Sequence, residues 1–261
     1  MDLKIYQVDA FAEKTFQGNP AAVCPLDEWL PSSTMQLIAL ENNLSETAFF
    51  VQEGQDYRIR WFTPASEVDL CGHATLASAH VLFKHLGLAD KTIRFHSRSG
   101  ILEVQQEGEA YTLNFPTDQL TQEDTSAWIK EILGGKPVEV WRGKDDLLII
   151  LATEQEVKNL SPDFAKMKTI PTRGVIASAP GEKVDFISRC FFPNVGINED
   201  PVTGSAHTTM IPYWSRRLQK TELTARQISA RGGNLLCQML GARVKISGTC
   251  VTFLEGRISI T

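Results

Sequence analysis

Three stretches of the chain carry side chains that can handle a proton or hold an anion. The first is Leu44-Ser45-Glu46-Thr47-Ala48-Phe49-Phe50, where Glu46 stands directly before an apolar run. A carboxylate set against apolar surface loses hydration. That favours its neutral form and brings proton exchange toward neutral pH. The plainer alternative is a solvated glutamate at a strand start. The second stretch is Asp69-Leu70-Cys71-Gly72-His73-Ala74-Thr75, and the third is Asn198-Glu199-Asp200-Pro201-Val202-Thr203-Gly204-Ser205-Ala206-His207. In each, a glycine opens a helix behind acidic residues, with a hydroxyl residue close by. Gly72 and Gly204 let a ligand approach the backbone. Ser205 and the N–H groups of a first helical turn suit a carboxylate, with the helix dipole behind them. The alternative is that Asp, Ser and Thr at these starts are plain N-caps. Cys71 has no cysteine at the matching place in the third stretch, so a two-thiol racemase lacks its second thiol, and Cys71 reads as a small buried residue. His80, His85 and His96 read as structural or surface residues, and His207 lies one turn into the second helix.

Other chemistries lose their basis. The five cysteines form no C-x-x-C pair and the five histidines no H-E-x-x-H, so spacing supports neither a metal site nor a disulfide framework, although distant ligands can converge. Fingerprints for dinucleotides, P-loop phosphates and serine hydrolases are absent, so the expectation is an enzyme without cofactor. The net charge of −5, with no block of Lys or Arg, argues against nucleic acid as a partner. The longest apolar run, Leu147 to Ala152, is too short to span a membrane. The first residues lack the basic-then-apolar order of a signal peptide, and a cytoplasmic location is expected.

The elements that must position these residues alternate between strand and helix patterns. Leu3–Phe11 alternates as a strand. Gly18-Asn19-Pro20 is a turn leading into apolar Ala21–Cys24. A helix from Pro31 carries Met35, Leu37, Ile38 and Leu40 and stops at Asn42-Asn43. Strands are expected at 47–51, 57–63, 91–95, 101–105 and 110–115, with a helix from Gly72 to Leu86 closed by Gly87. In the second half strands are expected at 138–142, 147–152, 175–179, 184–192, 227–230, 235–240, 242–246 and 250–254. Helices are expected at 126–133 and 154–160 and from Gly204 to Lys220.

The halves repeat. Arg60-Trp61-Phe62-Thr63-Pro64 ends a strand, and Gly72 opens a helix eight residues later. Arg189-Cys190-Phe191-Phe192-Pro193 ends another, and Gly204 opens a helix eleven residues later. Acidic residues precede both glycines. The order points to two similar α/β halves facing each other, with the site where they meet. The boundary is placed near 116–125, giving halves of 1–118 and 119–261, with the last strand free to cross back.

Gly18-Asn19-Pro20-Ala21-Ala22-Val23, Leu44-Ser45-Glu46-Thr47-Ala48-Phe49, Arg60–Pro64 with Glu67–Ala77, and Asn198–Ala206 together resemble the PhzF family of phenazine biosynthesis, in order and over essentially the whole chain. The resemblance implies a diaminopimelate epimerase-like fold in the α/β (α+β) class: two alike halves, each a curled β-sheet around a central helix, with the active site in the cleft between them. It implies a cofactor-independent isomerase, since the characterised member shifts a proton across a dihydro-hydroxyanthranilate. By motif, Glu46 matches the proton-shuttling glutamate, and His73 and Asp200 hold or polarise substrate groups. Ser205, Gly72, Gly204 and Asn19 bind substrate. It also favours a homodimer. The substrate expected is a small carboxylate-bearing molecule. The rivals are an amino-acid epimerase or racemase with two opposed bases, and a non-catalytic binding protein that keeps the fold.

Overall fold

A computed structural model describes residues 1–124 and 126–260. The chain divides into two compact units, Met1–Asn114 with Ser247–Thr261, and Phe115–Ile246.

The first unit runs β1 (Asp2–Ala10), β2 (Asn19–Leu26), α1 (Ser32–Asn42), β3 (Glu46–Glu53), β4 (Asp56–Phe62), β5 (Glu67–Val68), α2 (Gly72–His80), β6 (Thr92–Ser97), β7 (Gly100–Glu107) and β8 (Ala110–Pro116). One π turn, Val81–His85, prolongs α2 before Gly87. The second unit runs β9 (Thr121–Glu123), α3 (Ser126–Leu133), β10 (Glu139–Arg142), β11 (Asp146–Ile150), α4 (Glu154–Lys158), α5 (Phe164–Met167), β12 (Gly174–Pro180), β13 (Phe186–Phe192), β14 (Ile197–Asp200), α6 (Ala206–Leu218), β15 (Glu222–Gln227) and β16 (Gly233–Leu240). A last strand, β17 (Arg243–Ser259), carries the chain into the first unit.

In the first unit β1 pairs with β2, β2 with β3 in parallel, β3 with β4, β4 with β6 in parallel, and β6–β7–β8 follow antiparallel. The strand β17 pairs with β1 on one side and with β8 on the other, closing the sheet on itself and leaving no open edge in that ring. The helix α2 lies against β1, β2, β3 and β7 and is buried over eight of its nine residues. A helix buried all round needs small side chains, and Gly-His-Ala-Thr-Leu-Ala-Ser-Ala-His supplies them. Its hydroxyls turn back on the backbone: Thr75 donates to the Cys71 carbonyl (2.5 Å) and Ser78 to the Ala74 carbonyl (2.7 Å). Outside the sheet, α1 buries Met35, Ile38 and Ala39 against Leu26, Phe49 and Phe62. Leu37 and Leu40 of the same helix are exposed.

The second unit repeats the pairing types in the same order. β10–β11 is antiparallel, β11–β12 parallel, β12–β13 antiparallel, β13–β15 parallel and β15–β16 antiparallel, as for β1–β2, β2–β3, β3–β4, β4–β6 and β6–β7. Its helix α6 is the counterpart of α2 and buries Ala206, His207, Met210, Ile211, Tyr213 and Trp214. The two halves expected from the sequence are therefore alike in topology, each a curled sheet with a buried helix.

Two strand expectations change. The strand expected at 227–230 lies earlier, at Glu222–Gln227, where Leu223, Ala225 and Gln227 alternate inward. The segments 242–246 and 250–254 are one strand. Gly248 does not interrupt it, because a Cβ there would lie 2.4 Å from the Phe11 ring, and the glycine gives Phe11 room against β17. Among the described residues no helix is long and apolar enough to cross a membrane.

Candidate active site

In the first unit the parallel pairing of β2 with β3 sets Ala21 opposite Glu46, so Asn19 and Glu46 both stand at strand starts. Gly18, at φ +66°, makes the turn into Asn19, and a Cβ there would strike the Ala10 carbonyl at 2.1 Å. The start of α2 brings Cys71 and His73 to the same place. Asn19 Nδ2 lies 3.3 Å from His73 Nδ1, Cys71 Sγ lies 3.6 Å from that nitrogen, and His73 Nε2 lies 3.2 Å from Glu46 Oε2. His73 and Cys71 are 5% and 6% exposed, and the Glu46 side chain 13%. Burial pushes the imidazole down to about 3, so it is neutral near pH 7. With the Asn19 amide NH2 donating to Nδ1, the ring proton sits on Nε2, which lies near Glu46 Oε2 without hydrogen-bond geometry to it. A carboxylate and a neutral imidazole N–H thus stand side by side in a nearly dry pocket. Two clefts of this unit, about 850 and 490 Å3, are lined by other residues, among them Leu26, Phe50 and Leu86 in one and His80, Phe83 and Tyr111 in the other.

In the second unit the turn before α6 is tied down by hydrogen bonds. Thr203 Oγ1 donates to Asp200 Oδ2 (2.5 Å). Gln227 accepts from the Thr203 N–H (2.8 Å) and donates to the Asp200 carbonyl (2.7 Å). His207 Nδ1 meets the Thr203 carbonyl at 2.8 Å, and burial pushes that ring down to about 4. Ser205 begins α6 but makes no side-chain capping bond, and Cys71 makes none at α2. The plain N-cap reading therefore does not describe Ser205. Ser205 Oγ instead lies 3.4 Å from Arg173 Nη2. Arg173 is held by a two-pronged ion pair with buried Asp146 and by the Phe192 ring, 5.3 Å from its guanidinium carbon. Arg173, Asp146, Thr203 and Gln227 were not singled out from the sequence. For Asp146 a signal existed, because it too is a carboxylate directly before an apolar strand, Leu147-Leu148-Ile149-Ile150.

The internal repeat allows the two sets to be aligned residue by residue. Arg60 pairs with Glu67 on β5, and Arg189 with Glu199 on β14, each guanidinium 5.1 Å from a phenylalanine ring two residues along its strand. Arg60 faces Phe49 across β3, and Arg189 faces Ala177 across β12. Stepping back three residues aligns Glu46 with Gly174. From Gly72 and Gly204, which share the offset of Glu67 and Glu199, Cys71 aligns with Thr203 and His73 with Ser205. A Cβ at Gly174 would lie 2.0 Å from the Phe192 ring and 2.8 Å from the Phe191 carbonyl, so that position carries no side chain. The carboxylate–imidazole–thiol group belongs to one half only.

The sequence matches the phenazine biosynthesis-like protein family (PhzC-PhzF) over residues 8–256. An uncharacterised isomerase of Pseudomonas aeruginosa is 52% identical, with both chains fully covered. The crystal structure of a PhzF-family phenazine biosynthesis protein from Enterococcus faecalis superposes with a TM-score of 0.98 at 49% identity, again over both whole chains. A predicted epimerase of P. aeruginosa shares the fold, with a TM-score of 0.80 at 21% identity over 99% of this chain and 100% of that one.

Proposed function

We propose, for a chain that belongs to the PhzF family of phenazine biosynthesis-like proteins and is an isomerase like its curated relatives, that it moves a proton between two carbons of a small carboxylate-bearing metabolite, with Glu46 as the shuttle. The observation that supports this reading most is the one-sided group of Glu46 and His73. Ionised Glu46 takes the proton from an acidified carbon and, as the carboxylic acid, returns it to another. The neutral His73 N–H, oriented by Asn19 and close to the carboxylate, can polarise a substrate oxygen. Asp200 and Ser205 are the residues we assign to the substrate's polar groups, and the backbone at Gly72 and Gly204 to its carboxylate.

A two-base epimerase needs a second proton carrier. The repeat aligns Glu46 with Gly174 and Cys71 with Thr203, whose hydroxyl is already given to Asp200. That disfavours inversion and favours migration of a double bond by one base. The test is a screen of small carboxylic acids in D2O. Deuterium should enter a substrate at a carbon where a double bond has moved, with wild-type protein and not with Glu46→Gln. Label appearing with inversion of a stereocentre, or appearing equally with Glu46→Gln, sinks the reading.

A further inference from the structure

Spacing along the sequence gives no metal signature, yet the fold gathers three metal-ligating side chains of different chemistry in the first unit. One ligand atom each from Glu46, Cys71 and His73 lie within 4.8 Å of one another. We propose that these three side chains form a binding site for Zn2+.

Distances, charge and second shell each argue for the ion. Tetrahedral zinc holds nitrogen and oxygen at about 2.0–2.2 Å and thiolate sulfur at about 2.3 Å, which sets ligand atoms roughly 3.3–3.6 Å apart along the tetrahedron's edges. The Glu46 Oε2 to His73 Nε2 separation of 3.2 Å is such an edge. Cys71 Sγ lies 3.6 Å from the other nitrogen of the same ring, and with all three ligand atoms within 4.8 Å of one another, side-chain rotation is what brings the sulfur onto the ion and leaves a fourth position for water. A thiolate and a carboxylate together cancel the charge of Zn2+. That matters where the residues are 5–13% exposed, because an uncompensated charge there is costly to bury. Asn19, 3.3 Å from Nδ1, is the outer partner that fixes the ring, and a rotated amide presents its oxygen to Nδ1–H when Nε2 binds the ion.

Bound Zn2+ occupies the Glu46 oxygen and so blocks proton transfer. This inhibition rests on Glu46 being the shuttle, whereas the binding does not.

The probe is Co2+ titrated into the full chain, followed by displacement with Zn2+. The expected result is one Co2+ per chain, with the intense visible bands of a tetrahedral site and a near-ultraviolet sulfur-to-cobalt band. Cys71→Ser should remove the sulfur band, and Cys250→Ser, a buried thiol elsewhere in the unit, should keep it. Cys71→Ser and Glu46→Gln should each weaken Zn2+ binding by roughly 100-fold or more, beyond the 10–100-fold that an outer partner is worth. No stoichiometric cobalt, or a sulfur band that survives Cys71→Ser, overturns the proposal. Should a variant fail to fold, anomalous scattering at the zinc edge from a soaked wild-type crystal decides: a peak between Glu46 and His73 supports the site, and a peak elsewhere or none overturns it. Metal bound as described beside a fully active Glu46→Gln would leave the site standing and remove the shuttle instead.

Discussion

Glu46 and Asp146 announce themselves in the same way, each a carboxylate directly before an apolar strand, and the fold gives them opposite partners. Glu46 meets a neutral imidazole, and Asp146 meets a guanidinium in a two-pronged pair. A carboxylate beside a neutral ring is placed to exchange a proton, whereas one in a two-pronged pair with arginine has both oxygens occupied. Glu46→Gln should lower kcat by about 10²–10⁴-fold with little change in KM, and Cys71→Ala should keep most of the activity, read by steady-state kinetics on the substrate from the deuterium screen. Arg173 gives a second expectation at this scale. Its Nη2 approaches Ser205 Oγ, so the serine accepts there and its own O–H is left to donate elsewhere, as the role proposed for it requires. Removing Arg173 alone strands the buried Asp146 charge, so the variant to make is Arg173→Gln with Asp146→Asn. It should fold and raise KM by roughly 10-fold, the worth of a charge-assisted hydrogen bond, with kcat nearly unchanged. An unchanged KM removes Arg173 from substrate binding. The pairing of Arg173 with Asp146 was not legible in the sequence, since 27 residues separate them and only the parallel register of β11 on β12 brings them together.

At the scale of elements, the repeat was legible because Arg…Pro and the following glycine recur, and the structure explains the recurrence: both arginines pair with a glutamate on the next short strand and lie near a phenylalanine ring. The short strands β5, β9 and β14 were not legible, because two to four residues hold too little periodicity to stand out. β15 was missed for another reason: Glu-Leu-Thr-Ala-Arg-Gln alternates, but its inward residues include a small one and a polar one. Gln227 is buried because its amide closes the Asp200–Thr203 turn, which a hydrophobic pattern does not reveal. Gly174 offers the direct test of the element alignment. Gly174→Ala places a methyl 2.0 Å from the Phe192 ring and should cost about 1–3 kcal/mol in urea unfolding, the usual toll of overpacking. A stability change within about 0.5 kcal/mol, the scale of surface substitutions, means that the ring moves aside and the position can accept a side chain, which reopens the case for a second base.

For the whole molecule, three buried histidines fix how stability responds to acid. Burial lowers His73 to about 3, and His80 and His207 to about 4. In the unfolded chain each has its ordinary value near 6.5. Below that pH the unfolded state takes up a proton that the folded state refuses. These groups therefore contribute nothing to a pH dependence above about 7. Stability falls as pH drops from 6.5, and each loss levels off only below that histidine's folded value. Each refused proton steepens the fall by about 1.4 kcal/mol per pH unit, so the three together give roughly 4 kcal/mol per unit between pH 6 and 5. Carboxylates held low by partners, such as Glu67 with Arg60 and Asp185 with Lys220, push in the same direction but act below about pH 4.5, so the upper window isolates the histidines. Urea midpoints measured from pH 7.5 to 5 should show the fall. His80→Gln removes one titrating ring, along with its contacts to Tyr111 and Thr252, and should lower stability at pH 7.5 while flattening the slope by about a third. The slope, and not the starting stability, is the measure of titration. His73 and His80 belong to the first unit and His207 to the second, so if the two units melt in separate steps the transition of the first unit should carry two of the three protons. A midpoint flat from pH 7 to 5 would mean that these rings are hydrated and charged in the folded state. That outcome would also remove the neutral imidazole on which the pairing of His73 with Glu46 depends.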